Sequence, residues 1–202
     1  MSAHPSSNIV GILLAAGSGT RFGGDKLLCP LGDGVALAAH AARNLLAAVP
    51  GVVAVVRWGD FPLYDMLEQE GCEVTMFQDA AHGMGASLAH GIAQARAADG
   101  WVIALADMPK VNPGTIRRIV SALEGGALIA APTYGGRRGH PVAFASSLRH
   151  ELLALGADEG ARTVLERHRD GLALVECDDP GILVDVDRRE DLASLIDSGA
   201  AR

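Results

Sequence analysis

Four glycines, one arginine and one lysine crowd the stretch LLAAGSGTRFGGDKLL at residues 13–28. Gly17, Gly19, Gly23 and Gly24 have no Cβ, so their backbone N–H groups can approach a ligand closely. Successive N–H groups in such a bend form an anion-binding nest. Arg21 adds a planar fork suited to phosphate oxygens, and Lys26 adds a point charge. The combination describes a cradle for a polyphosphate. A second kind of chemistry lies further along. Asp107 ends the apolar run of WVIALADMPKV, and Asp185 and Asp187 end another in ILVDVDRRED. Mg²⁺ is usually held by one or two carboxylates plus substrate phosphates and water. Asp107 with one of the later pair would supply such a site. An i, i+2 spacing puts Asp185 and Asp187 on the same face of a strand. Plainer readings stay open for each: a solvated glycine-rich turn at 17–24, an Asx-turn before Met-Pro at Asp107, and a solvated strand edge at 185–187.

Two familiar phosphate motifs nearly fit the first loop and fail. A GxGxxG fingerprint starting at Gly17 would need its third glycine at Phe22. A P-loop from Gly19 to Gly24 has Asp25 before Lys26, and Leu27 where a metal-binding hydroxyl belongs. The loop suits phosphate but belongs to neither pattern.

These groups need elements to hold them. Apolar runs recur at NIVGILLAA, GVVAVVRWG, CEVTMFQ, WVIALAD, GALIAAPTY, HPVAF, LALVEC and ILVDVD. Segments with helical spacing lie between them at 35–48, 61–70, 85–98, 113–124, 146–155 and 159–169. Strand–helix alternation with nearly continuous apolar strands predicts an α/β fold. The expectation is one Rossmann-like, three-layer domain over residues 1–202, its twisted sheet mostly parallel and flanked by helices. Ligands of such sheets sit at the carboxyl ends of the strands. The informative positions are therefore 15–26, 57–60, 78–85, 107–110, 133–141 and 185–188.

Bulk properties narrow the function classes. The chain has 202 residues, enough for one good-sized core. Its net charge of −7 and its aromatic content of 4% argue against nucleic-acid binding by charge or by stacking. No apolar run reaches the roughly 20 residues of a membrane span. The opening MSAHPSSN has neither a basic nor an apolar leader region. Cys29, Cys72 and Cys177 are widely spaced, which suits a reducing compartment. The expectation is a cytoplasmic protein that engages neither membranes nor nucleic acid.

Beyond these readings, the chain resembles a family. LLAAGSGTRFGGDK is similar to the signature loop LAAGxGxRxGxxK of nucleotidyltransferases that join a nucleoside monophosphate to a phosphorylated acceptor. GMGASL at 83–88 and LADMPKV at 105–111 resemble later segments of the same proteins. GRRGHPVAF at 136–144, GADEGAR at 156–162 and the closing DVDRREDL narrow the likeness to the molybdenum cofactor cytidylyltransferases and other MobA-like nucleotidyltransferases. The guanylyltransferase branch of that group typically carries LAGG. Here Leu14, Ala15, Ala16 and Gly17 read LAAG, and a side chain at Ala16 would restrict a purine. Two departures stand out: Arg188-Arg189 replaces a Thr-Pro, and Asp25 precedes Lys26 where this branch often has Asn.

The resemblance implies a Mg²⁺-dependent transfer from CTP to the phosphate of molybdopterin, with pyrophosphate released and a molybdenum hydroxylase as recipient of the product. It assigns the backbone at Ala16, Gly17, Ser18 and Gly19 to the β- and γ-phosphates. Arg21 steadies the departing pyrophosphate, Lys26 lies near the α-phosphate, and Asp107 and Asp187 bind the metal. Gln78, Asp79, Ser87 and Leu88 lie where the family reads the base, although Ser87 is also an ordinary small residue for a helix start. Arg137, Arg138, Gly139, His140 and Pro141 face the acceptor, braced by Asp158, Glu159 and Arg162; a solvated loop is the plainer reading of those cations. Three alternatives stay open: guanylyl transfer, transfer to another phosphate acceptor, and a non-catalytic partner that delivers a cofactor to a molybdenum enzyme.

Overall fold

The computed structural model describes residues 8–17, 19, 22–156 and 160–199. Seven of the expected apolar runs form strands: β1 Ile9–Ala15, β2 Gly51–Arg57, β3 Glu73–Phe77, β4 Gly100–Leu105, β5 Ile129–Tyr134, β7 Val142–Ala145 and β8 Leu172–Glu176. A two-residue strand, β6 Arg137–Arg138, completes one sheet. Its order is β3-β2-β1-β4-β7-β5-β6, with β8 added alongside β5. The first four strands run parallel, β8 is parallel to β5, and β7 runs antiparallel to both β4 and β5. The chain leaves β1 toward β2 and β3, then returns to place β4 on the other side of β1. That reversal opens a crevice at the carboxyl ends of β1 and β4, where α/β sheets hold their ligands.

Helices cover both faces. α1 Leu37–Leu46, α2 Phe61–Gln69, α4 Pro113–Glu124 and α7 Arg189–Gly199 pack on one face, and α3 Met84–Gln94, α5 Arg149–Leu153 and α6 Ala161–Arg167 on the other. The result is three layers with an apolar core on each side of the sheet. α4 shows how the sequence directs this. Asn112 caps its start by accepting from the Gly114 N–H at 2.7 Å, and Pro113 takes the first turn, where no partner is needed for its missing N–H. Ile116, Ile119 and Leu123 then fall on one buried stripe.

Three expectations need correction. The run ILVDVD does not form a strand; Pro180–Leu183 is a short 3-10 turn and residues 184–187 have no regular structure. The buried Asp179 starts that turn, accepting from the N–H groups of Gly181 and Asn112 and from the Thr115 hydroxyl. The chain beyond is pinned by single contacts, the Ile182 carbonyl accepting from His140 N–H and the Asp107 carbonyl from Val186 N–H. Its alternation therefore reflects contacts with the ends of other strands. The helix expected to 98 stops at Gln94, and the Ala95 carbonyl is taken by the Trp101 indole N–H at 3.3 Å. The segment 146–155 splits into a 3-10 turn, Ser146–Leu148, and α5. α7 was not expected. Its acidic start is the available signal: Asp191 accepts from the N–H groups of Asp187 and Arg188 at 2.9 and 2.7 Å.

Candidate active site

The crevice holds a cleft of about 510 Å³. The end of β1 supplies its floor, as Leu14, Ala15, Ala16 and Gly17 all line it. Gly19 lines it too, with φ +58°, a left-handed conformation that glycine adopts without strain; its carbonyl accepts from the N–H groups of Phe22 and Gly23. Ser18 and Arg21 lie outside the described residues. Phe22 is buried and anchors the loop in the core, and the Arg189 guanidinium lies 5.2 Å from its ring centre. The replacement of Thr-Pro by Arg188-Arg189 thus creates a cation–π tie between the first loop and the last helix.

Lys26, Asp107 and Asp187 come together across the cleft. The Lys26 ammonium lies 2.8 Å from Asp107 Oδ2, 2.7 Å from the Val186 carbonyl and 3.5 Å from Asp187 Oδ1. The lysine side chain is only 11% exposed and that of Asp107 23%. Asp107 Oδ1 is buried with no hydrogen-bond partner in the protein. A buried carboxylate oxygen is costly to leave unsatisfied, so this atom points to a ligand. Asp187 lines the cleft, whereas Asp185 is exposed and outside it. Without a strand at 185–187, the two carboxylates do not act as a pair on one face. Among the described residues no three His, Cys, Asp or Glu side chains come together as metal ligands. The donor set is two carboxylates and a carbonyl, the hard oxygen set of a divalent ion that completes its shell with phosphate and water.

The opposite wall is the start of α3. Gly83, Met84 and Ser87 line the cleft there, and the first-turn N–H groups of a helix favour an anionic ligand. Ser87 is buried, donates to the Gly83 carbonyl one turn back at 3.2 Å, and lines the cleft. Gln78 and Asp79 are not among the lining residues; Asp79 is exposed beside His82, and Ala80 and Ala81 take the wall instead.

Arg57 is a cleft residue that the sequence motifs do not pick out. It ends β2, lines the cleft and donates to the Gly17 carbonyl at 3.1 Å. The available signal was position: a cation closing an apolar run at the carboxyl edge of a parallel sheet.

A second cavity of about 250 Å³ adjoins the first, sharing Leu14, Met84 and Leu105 as a common wall. Leu88, Val142 and Phe144 make it apolar, while Arg138, Gly139, His140 and Arg162 supply polar edges. Gly139 is wedged against the closing segment. A Cβ there would lie 2.3 Å from the Ile182 carbonyl oxygen, so only glycine fits. Burial, reinforced by the Arg138 charge, lowers the pKa of His140 below the ordinary histidine value, and His140 Nδ1 is a second buried atom with no protein partner. Arg137 is exposed and does not line this cavity, and Pro141 is buried behind it. Arg162 pairs with Glu166 at 2.7 Å on its own helix; Asp158 and Glu159 lie outside the described residues.

Comparison with known proteins bears on the fold and the family. PucB, a purine catabolism protein of Bacillus subtilis (strain 168), is 30% identical over 197 residues, covering 92% of this chain and 95% of the relative. Nicotine blue oxidoreductase of Paenarthrobacter nicotinovorans is 28% identical, covering 93% and 96%. Rv0371c of Mycobacterium tuberculosis H37Rv superimposes with a TM-score of 0.81 at 27% identity over 96% of this chain and all of that one. A second structure of Rv0371c, in complex with manganese, gives a TM-score of 0.78 at 25% identity over 95% of this chain and 100% of that one. The family model for the MobA-like NTP transferase domain matches residues 11–172, most of the chain and every strand from β1 to the start of β8. By that match the chain belongs to the MobA-like NTP transferases.

Proposed function

We propose that this chain is a Mg²⁺-dependent nucleotidyltransferase that moves CMP from CTP onto the phosphate of a molybdopterin-type acceptor, acting in the cytoplasm as one domain over residues 1–202. The observation that carries the reading is the pair of adjoining cavities. One presents Lys26, Asp107 and Asp187 beside a glycine loop, as a triphosphate requires. The other combines apolar walls with Arg138 and His140, as a flat ring system bearing a phosphate requires. Their shared wall would bring the two phosphates together.

In the reaction an oxygen of the acceptor phosphate forms a bond to the α-phosphorus. The bond from that phosphorus to the β-bridging oxygen breaks, and pyrophosphate leaves with the electron pair. Positioning and charge neutralisation carry such transfers. The backbone from Ala16 to Gly19 holds the β- and γ-phosphates, Arg21 steadies the leaving pyrophosphate, and Lys26 offsets charge at the α-phosphate. Asp107 and Asp187 would hold the metal, which when bound neutralises phosphate oxygens; the manganese complex of Rv0371c supports a divalent ion for proteins of this kind. Ala16, 7% exposed on the cleft floor, narrows the space for a purine. Ser87 lies within reach of the base or ribose, and Arg138, Gly139 and His140 meet the acceptor. A molybdenum hydroxylase would receive the product.

The test is pyrophosphate release with Mg²⁺, molybdenum cofactor and each of CTP, GTP and ATP. CTP should be favoured by at least tenfold. Preference for GTP overturns the assignment of the base. Release only with another phosphorylated acceptor overturns the pterin, and nucleotide binding without any release turns the reading to a cofactor-delivery protein.

A further inference from the structure

An ammonium group has three donors. Those of Lys26 are directed at Asp107 Oδ2, the Val186 carbonyl and, at a longer 3.5 Å, Asp187 Oδ1. With these contacts in place the lysine has no proton left for a phosphate oxygen. The same two carboxylates are the groups that would hold a divalent ion. A cation on Asp107 and Asp187 and an ammonium at 2.8 Å from the first of them would repel each other strongly in so enclosed a place.

We propose that Lys26 is a built-in counterion for the metal site: it holds Asp107 and Asp187 together when no metal is bound, and gives them up when the divalent ion arrives. Released from the carboxylates, the flexible four-carbon stem turns the ammonium into the cleft that Lys26 already lines, where the triphosphate lies. One lysine thus serves in turn as lock and as catalytic cation. Asp107 and Asp187, partly exposed carboxylates on one cleft wall, repel each other, and the shared ammonium offsets that repulsion and keeps the site assembled. It also makes metal binding weak until a triphosphate offers the displaced ammonium a new partner. Metal and nucleotide are then coupled through one side chain, and each raises affinity for the other. Asp107 Oδ1, buried and without a protein partner, is the oxygen left for the metal to approach first.

This inference rests on the metal assignment of Asp107 and Asp187, and the experiment separates the two. Free Mn²⁺ is counted by electron paramagnetic resonance during titration of the whole chain, with no nucleotide present. Lys26→Gln should bind Mn²⁺ at least tenfold more tightly than the wild type, and Lys26→Arg, which keeps the charge, should not. Asp107→Asn combined with Lys26→Gln should lose the gain. If Lys26→Gln binds no more tightly while Asp107→Asn still weakens binding, the counterion role is overturned and the metal site stands. If Asp107→Asn binds like the wild type, both fall. A second measurement needs no variant. Reductive methylation of Lys26, followed by mass spectrometry, should rise several-fold when Mn²⁺ alone is added; an unchanged rate overturns the displacement.

Discussion

The two cavities of this molecule are built by opposite means. The nucleotide end is made from strand-end loops of the parallel half of the sheet, β1, β2 and β4, and its wall groups are backbone, cations and carboxylates. The cavity proposed for the acceptor is made where the sheet turns antiparallel, from β7 and β6 with α3 and the start of α6, and Gly139 on its edge packs against Ile182. The first end uses glycine so that a ligand can come close. The second uses glycine so that its own chain can. Substitution at the nucleotide end should therefore cost function while sparing the fold, whereas at Gly139 it should cost stability as well.

The largest effect is expected at the nucleotide end from Asp107→Asn. It removes the charge that binds Lys26 and the metal but keeps the side chain's shape. Loss of one well-placed electrostatic group costs on the order of 100- to 1,000-fold in rate. Turnover should fall by that much with the thermal midpoint little changed. A mutant within a few-fold of wild type would break the comparison at its strongest point.

A pair of glycine substitutions sharpens it. In Gly139→Ala the new Cβ meets the backbone oxygen of Ile182 at 2.3 Å. Overpacking of this kind costs about 1–3 kcal/mol, and the midpoint of urea unfolding should drop accordingly, with KM for the acceptor rising. In Gly17→Ala nothing lies within 4 Å of the new Cβ, so stability should hold. KM for CTP should rise roughly tenfold or more, because a charge-assisted hydrogen bond to phosphate is obstructed. Equal loss of stability in both variants would erase the distinction.

The same contrast explains what could be read in advance. The nucleotide end was legible because its groups are local: the glycines, Lys26 and the strand-end Asp107 sit where apolar periodicity stops. The parallel, helix-covered sheet around β1 followed from alternation, but its strand order did not. The closing segment defeats a local reading because ILVDVD is held by backbone contacts with Asp107 and His140, residues distant in sequence. Nothing local distinguishes that from a strand. Arg57 falls in the strand-end stretch 57–60 that periodicity marks, but its partner, a carbonyl forty residues earlier, leaves no local signal. α7 hides behind a charged start whose capping role appears only when Asp191 turns back on Asp187 and Arg188.

Arg57→Ala gives a smaller effect at the nucleotide end. It frees the Gly17 carbonyl and removes one cation from the cleft wall. A hydrogen bond of this kind contributes about 1 kcal/mol. KM for CTP should rise about fivefold, with kcat and acceptor KM unchanged. A change confined to the acceptor would assign Arg57 to the wrong end.

The smallest effect is a pH dependence, and it belongs mainly to the acceptor end. Burial, with the Arg138 charge adding to it, lowers His140 below the ordinary value of 6.5, and burial lowers His90, whose Nε2 lies 2.8 Å from the Thr75 hydroxyl. A histidine with a lowered folded pKa binds fewer protons in the native state than in the unfolded one. Its contribution to stability is therefore full above 6.5 and is lost as pH falls below it toward the folded value. Glu151 works lower. Arg167 and His168 hold its carboxyl below the ordinary 4.5, so its share is kept above 4.5 and lost beneath it. Urea midpoints between about pH 7.5 and 5.5 isolate the histidines. The wild type should weaken across that window, His140→Gln should flatten the slope by more than His90→Gln, and Arg57→Ala should leave it untouched. An unchanged slope in His140→Gln would mean that this imidazole binds protons equally in the folded and unfolded chains, and a steeper slope that it is held charged in the fold. Either outcome would remove the neutral ring edge from the reading of the second cavity.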